Sequence, residues 1–149
     1  MTTNFSQSIA PEPAKKSAAR HLPTVARLLF GLGFTVFGLN GFLNFIPQPK
    51  TMPEGAMAFF GALVKTGYMI PLLFGTQTLV GVLLLINRFV PLALALIAPV
   101  IVNIVAFHLF IEPSGLPVAI VFLGIELYLA WSYRSAFRPM LAARTTSGT

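Results

Sequence analysis

His108 and Glu112 are the two side chains whose types and spacing best fit a chemical role. They lie four residues apart in the stretch VNIVAFHLFIEPSG, residues 102–115, at the end of a long apolar run. Residues four apart share one face of a helix, so the carboxylate lies beside the imidazole, a group that exchanges protons near neutral pH. This spacing predicts a ligand-binding or proton-exchange site at the external end of a helix. The alternative is a partly solvated helix terminus.

A second set of polar residues interrupts the apolar runs themselves: Asn40, Asn44, Gln77, Asn103 and Glu126. Asn44 is one helical turn from Asn40. A rise of 1.5 Å per residue places Asn40, Gln77, Asn103 and Glu126 about 12–22 Å from the same membrane surface. We therefore expect a polar core or ligand-binding cluster inside a helix bundle. Amides in such places also join helices, at ~0.6 kcal/mol on average. A central acidic residue costs about 2.5–3.5 kcal/mol, which makes Glu126 the strongest functional candidate.

The residue types exclude several kinds of chemistry. The sequence has no cysteine, so thiolate nucleophiles, disulfides and iron–sulfur ligation are absent. The second histidine, His21, is predicted to lie on the opposite side of the membrane from His108, so we expect no metal or haem site. No catalytic constellation and no cofactor are expected within the chain. Enzyme activity stays open only as a subunit of a quinone-linked oxidoreductase.

The composition indicates a membrane protein. Hydrophobic residues make up 56% of the 149 residues and charged residues 9%, against roughly 25% charged residues in soluble domains. The length fits one domain. The net charge of +6 arises from basic residues at the ends of apolar runs rather than along one face. The lipid bilayer is therefore the expected partner, and nucleic acid is not.

The apolar runs predict an all-α fold, a four-transmembrane-helix bundle with a short interfacial helix between spans one and two. A polar N-terminal tail, predicted to be disordered, covers residues 1–25, the membrane domain covers 26–135, and a basic, low-complexity tail covers 136–149. The runs have about the 20 residues that a helix needs to cross the hydrocarbon core. A helix over 52–66 is expected from the capping-box spacing of Thr51 and Glu54 and from Gly67 as its stop. The four predicted spans are Arg27–Ile46, Tyr68–Ile86, Phe89–Ile111 and Leu116–Tyr133.

The flanks of these runs predict the orientation, and small residues predict a helix contact. Eight of the ten lysines and arginines flank the same side, which leaves Lys50 and Lys65 on the other. Basic residues accumulate on the cytoplasmic side, so both termini are predicted to be cytoplasmic.

Gly31, Thr35 and Gly38 form a stripe of small residues on the first span, which favours close approach of another helix.

The stretches RLLFGLGFTVFGLNGFLNF, GALVKTGYMIPLLFGTQTLVGVLLLINRFVPLALALIAPVIVNIVAFHLF and LYLAWSYRSAFRPML resemble the DoxX family of small bacterial membrane proteins. The resemblance covers about residues 27–141. It implies a multi-pass four-helix bundle in the bacterial cytoplasmic (inner) membrane. The family is named for a subunit associated with quinone-linked thiosulfate oxidation, and other members look like accessory or assembly factors. Gln77 and Gly41 depart from the family, which often has glutamate and lysine there.

Three functions are compatible with these observations. The leading hypothesis is a non-catalytic accessory subunit that binds a partner membrane or redox protein or a hydrophobic ligand. The alternative is a quinone-interacting component of an oxidoreductase, in which amides and His108 act as donors to carbonyl groups. The third is a small transporter or proton path through Glu126, for which a homodimer would supply the second half.

Overall fold

The computed structural model describes residues 21–47 and 51–144. Within these ranges the chain contains helices and no strands, so the predicted all-α class is confirmed. Two short 3₁₀ turns, Pro113–Gly115 and Arg138–Leu141, follow the fourth and sixth helices. The helices are α1 (Leu22–Leu43), α2 (Glu54–Lys65), α3 (Met69–Leu85), α4 (Val90–Phe110), α5 (Leu116–Ser132) and α6 (Arg134–Phe137).

Four of the helices, α1, α3, α4 and α5, pack in a ring. Each contacts its neighbours in the order α1, α3, α4, α5 and back to α1, and the contact between α1 and α3 is the most extensive. The core between them is apolar, with Phe30, Phe34, Leu94 and Leu129 almost fully buried. The rings of Phe30 and Phe34 meet edge to face, with centroids 4.9 Å apart. This geometry is a favoured one for aromatic pairs.

The apolar surface of the ring fits a lipid environment. Large hydrophobic side chains on all four helices are exposed, among them Leu29, Leu72, Leu96 and Leu127. Helices α1 and α4, and α5 taken with the 3₁₀ turn before it, are long and apolar enough to cross a membrane. Helix α3 meets this length and apolarity only when it is taken together with α2, and the two helices are bent by 94° at the break between them. The chain therefore has three or four candidate spans.

The ends of the ring differ from the predicted boundaries in two places. Helix α1 begins at Leu22 rather than at Arg27, because Pro23 falls in the first turn, where a helix needs no N–H donor. Residues 22–25 of the predicted disordered tail are thus helical, and residues 1–20 lie outside the described ranges. At the other end, residues 136–141 of the predicted C-terminal tail form helical turns, with Phe137 packed against the core.

Helix α2 occupies almost the predicted range but begins differently. Pro53 is its N-cap and no side chain caps the first turn, so the predicted capping box of Thr51 and Glu54 is wrong. The end is as expected, because Gly67 adopts the left-handed conformation with φ 75°. Thr66 then stabilises the bend, since its hydroxyl donates to the carbonyl of Leu63 at 2.6 Å and accepts the N–H of Met69 at 3.1 Å.

Helices α1 and α3 touch through their backbones at glycines. A methyl group built on Gly81 would lie 2.4 Å from the backbone nitrogen of Thr35 and 2.8 Å from the carbonyl oxygen of Gly31. A methyl group on Gly38 would lie 2.6 Å from the backbone nitrogen of Thr78. The predicted close approach at the small-residue stripe is therefore confirmed, and Gly81 is its partner on α3.

Arg27 joins the same two helices at one end. Its side chain is buried, and its guanidinium donates to the carbonyls of Leu84 and Leu85, the latter at 3.5 Å. These carbonyls belong to the last turn of α3 and have no partner within that helix. A positive charge is also favourable beside the negative end of a helix dipole. Arg27 is thus a structural cap for α3.

The glycine contact yields a stability prediction. We expect Gly81→Ala to lower the free energy of unfolding by about 1–3 kcal/mol, because the new methyl group would overlap the backbone of α1. Gly75→Ala is the matched control on the same helix, since a methyl group there meets nothing within 4 Å. Unfolding of both variants would be measured by thermal or denaturant titration in detergent. Equal stability of the two variants would contradict the backbone contact.

Candidate functional site

A cavity of about 480 Å³ lies between α2 on one side and α3 and α4 on the other. Small-molecule sites in proteins usually enclose about 300–1,000 Å³, so a ligand of ordinary size fits. On α3 its lining extends from Met69 to Gln77, and on α4 from Val100 to His108. Eight residues of helix correspond to a depth of about 12 Å. The cavity therefore reaches from the end of the ring where α3 begins and α4 ends towards its middle.

The wall on the α2 side is aromatic and apolar. Ala56, Phe59, Phe60 and Leu63 face the cavity, with the spacing of one helix face. The rings of Phe59 and Phe60 lie 5.2 Å and 5.3 Å from the ring of Phe107 on α4, measured between centroids. These three rings form a cluster across the cavity wall. Helix α2, predicted as a short interfacial helix, packs over the cavity.

Two amides provide the polar groups of the deeper part. Gln77 is 6% exposed and lies at the inner end of the α3 lining. Asn103 on α4 also lines the cavity and is more accessible. An amide has both a carbonyl acceptor and N–H donors. A ligand between the two helices therefore meets apolar walls and a small number of directed hydrogen-bonding groups.

The mouth of the cavity is formed by His108, Glu112 and Ser114, together with Thr51. The Nδ1 atom of His108 lies 3.2 Å from a carboxylate oxygen of Glu112 and 2.8 Å from its backbone carbonyl oxygen. Donation to these acceptors places a proton on Nδ1, which leaves Nε2 as the acceptor of the neutral ring. The Ser114 hydroxyl donates to the other carboxylate oxygen. The predicted His–Glu pair is therefore present and is held by a neighbouring serine.

Asn103 and His108 line the same cavity although they point about 140° apart around α4. Val100, Ile104 and Phe107 lie between these two directions and form the α4 wall. The two polar residues thus flank the apolar wall on opposite sides. Their separation around α4 therefore corresponds to the width of one cavity.

Asn40 and Asn44 are at the end of α1 and do not line the cavity. The Asn40 side-chain oxygen accepts the N–H of Ile46 at 2.6 Å. Asn44 is exposed and is the left-handed C-cap, with φ 49°, a conformation that asparagine tolerates better than most residues. Of the predicted polar residues, Gln77 and Asn103 line the cavity, whereas Asn40 and Asn44 contribute hydrogen bonds and a cap at the end of α1.

Glu126 lies elsewhere on the inner face of α5, between Phe122 and Leu129. It is 6% exposed, and one of its carboxyl oxygens is buried without a hydrogen-bond partner in the described part of the chain. It does not line the cavity. Residues 21–47 and 51–144 also contain no cluster of three or more metal-ligating His, Asp or Glu side chains. The cavity residues are thus suited to hold an organic ligand through rings and amides.

No protein-family model, curated protein or solved structure matches this chain.

The mouth of the cavity has a predicted pH dependence. The hydrogen bond from the Ser114 hydroxyl lowers the pKa of Glu112 below its ordinary value of 4.5, and the nearby His108 lowers it further. A depressed pKa means that Glu112 stabilises this turn above pH 4.5 and that the contribution is lost as the pH falls through the folded-state pKa. We expect the hydrogen-exchange protection factors of residues 108–116, which are corrected for the slower intrinsic exchange at low pH, to fall on acidification from pH 6 to pH 3.

Glu112→Gln should remove this component of the pH dependence and Ser114→Ala should shrink it, while exchange in α3 stays unchanged. An identical acid profile in wild type and Glu112→Gln would show that another group controls the turn.

Proposed function

We propose that this chain is a four-span, DoxX-like protein of the bacterial inner membrane that holds a hydrophobic ligand in the cavity beneath α2 and acts as an accessory subunit. The observation that carries the proposal is the cavity itself, whose walls are apolar and whose polar groups are confined to the amides and to the mouth. Binding pockets for small organic molecules have this composition.

The proposed spans are α1, α3, α4 and α5. Helix α3 has 17 residues, about 26 Å, which is a little short for a hydrocarbon core of ~30 Å. Local thinning of the bilayer accommodates such a deficit at modest cost. Arg27, Arg88, Arg134 and Arg138 lie at one end of the ring, which we assign to the cytoplasm. The cavity mouth then faces the outside.

The ligand proposed for this cavity is apolar with at least one group that hydrogen-bonds to an amide. Apolar walls favour burial at about 25 cal/mol per Å². A Gln77 side chain buried beside an apolar ligand without a partner would cost roughly 1–3 kcal/mol, so the ligand is expected to provide that partner. The lining consists of groups that hold and orient a molecule. A partner redox or membrane protein would use or deliver it.

The first test fills the cavity. We expect Leu63→Trp to reduce the amount of co-purifying hydrophobic ligand at least about tenfold, equivalent to 1.4 kcal/mol, because the indole would occupy the space beneath α2. The measurement is native mass spectrometry of protein extracted gently from its own membrane. Val64→Trp is the matched control, since Val64 is the next residue on α2 and is 63% exposed. Equal ligand retention by both variants would argue against the cavity as the site.

The second candidate function is a quinone site, and the combination of aromatic rings with two amides supports it. A quinone has a flat ring that packs against Phe59, Phe60 and Phe107 and two carbonyls that accept from Gln77 and Asn103. Electrons would come from a partner protein, because the amides and rings that line the cavity are not redox-active.

Gln77→Leu tests the quinone hypothesis. We expect decylubiquinone to bind about three- to tenfold more weakly to this variant, the effect of one hydrogen bond of 0.5–1.5 kcal/mol. An analogue with the same tail and a plain benzene ring should bind equally to wild type and Gln77→Leu. If the variant weakens both compounds equally, Gln77 shapes the cavity and does not donate to a carbonyl.

A further inference from the structure

A second recess, of about 330 Å³, lies at the opposite end of the molecule, where α5 passes into α6. It is lined by Ser132, Arg134, Ser135 and Arg138. These residues donate hydrogen bonds or bear positive charge, and no carboxylate is among them. The recess is far from the ligand cavity in the fold, since α5 runs from the cavity end of the ring to this one.

Arg134 is held in place by Trp131. Its guanidinium carbon lies 4.8 Å from the centroid of the Trp131 ring, and its Nη1 atom donates to the Trp131 carbonyl at 3.1 Å. Stacking and one hydrogen bond orient the planar group and leave most of its five N–H donors for another acceptor. Such a preoriented fork suits a phosphate, which accepts two parallel hydrogen bonds from arginine.

Arg138 and the two serines complete the recess. Arg138 follows Arg134 by four residues, which places two like charges on one side of a helical turn and is unfavourable without a counter-charge. The described acidic residues are Glu54, Glu112 and Glu126, and none of them lines the recess. The Ser132 hydroxyl is already used, because it donates to the Tyr128 carbonyl at 2.8 Å. Ser135 is therefore the hydroxyl that suits an anion.

The residues around the recess resemble those found at a membrane surface. Tyr128, Trp131 and Tyr133 lie at this end of α5, as in the aromatic belt of a membrane interface. Beyond the recess, Met140 and Leu141 are exposed, at 63% and 81%. Exposed apolar side chains next to paired arginines are typical of a segment that lies on a bilayer, with the side chains in the acyl layer and the charges among the phosphates.

We propose that this recess binds the phosphate group of an anionic phospholipid, with Arg134 and Arg138 as its ligands and Ser135 as an additional donor. The site anchors the C-terminal segment to the leaflet on the arginine-rich side. It is independent of the proposed function, since it involves no residue of the ligand cavity.

The test measures lipid binding to the full-length protein in detergent by native mass spectrometry. Short-chain phosphatidylglycerol, phosphatidylcholine and inorganic phosphate are titrated separately. Wild type should bind phosphatidylglycerol more tightly than phosphatidylcholine. The double variant Arg134→Gln, Arg138→Gln should weaken phosphatidylglycerol binding about fivefold for each arginine removed. Arg88→Gln is the matched control, because Arg88 is exposed at the same end and lies outside the recess.

Three results would overturn the proposal. The first is equal binding of the two lipids by wild type. The second is an equal loss in Arg88→Gln, which would show that net charge alone attracts the lipid. The third is full competition by inorganic phosphate at the same concentration, which would identify a free anion as the ligand. Circular dichroism of each variant verifies that the helices are retained, and ligand retention in the α2 cavity should be unchanged.

Discussion

The backbone contact between α1 and α3 is the constraint on which the rest of the structure depends. Glycines at positions 31, 38 and 81 let the two backbones come so close that no side-chain carbon fits between them. In a lipid setting, where burial of apolar surface gives little drive for association, such close packing is a main source of helix affinity. Arg27 adds a cap at one end of the pair. The contact places one face of α3 against α1, and Gln77, one turn from Gly81 on nearly the same face, is buried at the inner end of the cavity lining.

The second constraint is the 94° bend between α2 and α3. A straight continuation would carry α2 away from the ring and leave the groove between α3 and α4 open to lipid. The turn at Thr66 and Gly67 folds α2 back instead, so its apolar face covers that groove. Gly41 on α1 leaves room for the Phe74 ring, which also lines the cavity. A methyl group at position 41 would overlap that ring. A longer side chain at position 41 would require Phe74 to move.

The sequence predicted the elements well and their assembly only in part. Apolar run length and breakers located the helices within a few residues, and the small-residue stripe predicted the α1 contact. The predicted heights of the polar residues did not show which of them line the cavity, because height along a helix says nothing about rotation around it. Asn40 and Asn44 instead stabilise the C-terminal end of α1, which the spacing of apolar residues does not reveal. The contact of Phe59 and Phe60 with Phe107 depends on the bend between α2 and α3, which local sequence patterns do not specify.

The two ends of the ring carry different chemistry, and Glu126 lies between them. Phe122 packs against Phe30 and Phe34, and Glu126 is one turn further towards the arginine-rich end. Arg27 is buried in that same half, yet its guanidinium is committed to the carbonyls of α3. A buried carboxylate without a partner is far more costly than a protonated carboxyl. Glu126 therefore has a buried carboxyl oxygen without a partner in the described part of the chain, whereas Glu112 at the cavity mouth has Ser114 and His108 beside it. The same residue type thus serves packing in the core and charge at the mouth, because only the mouth supplies partners.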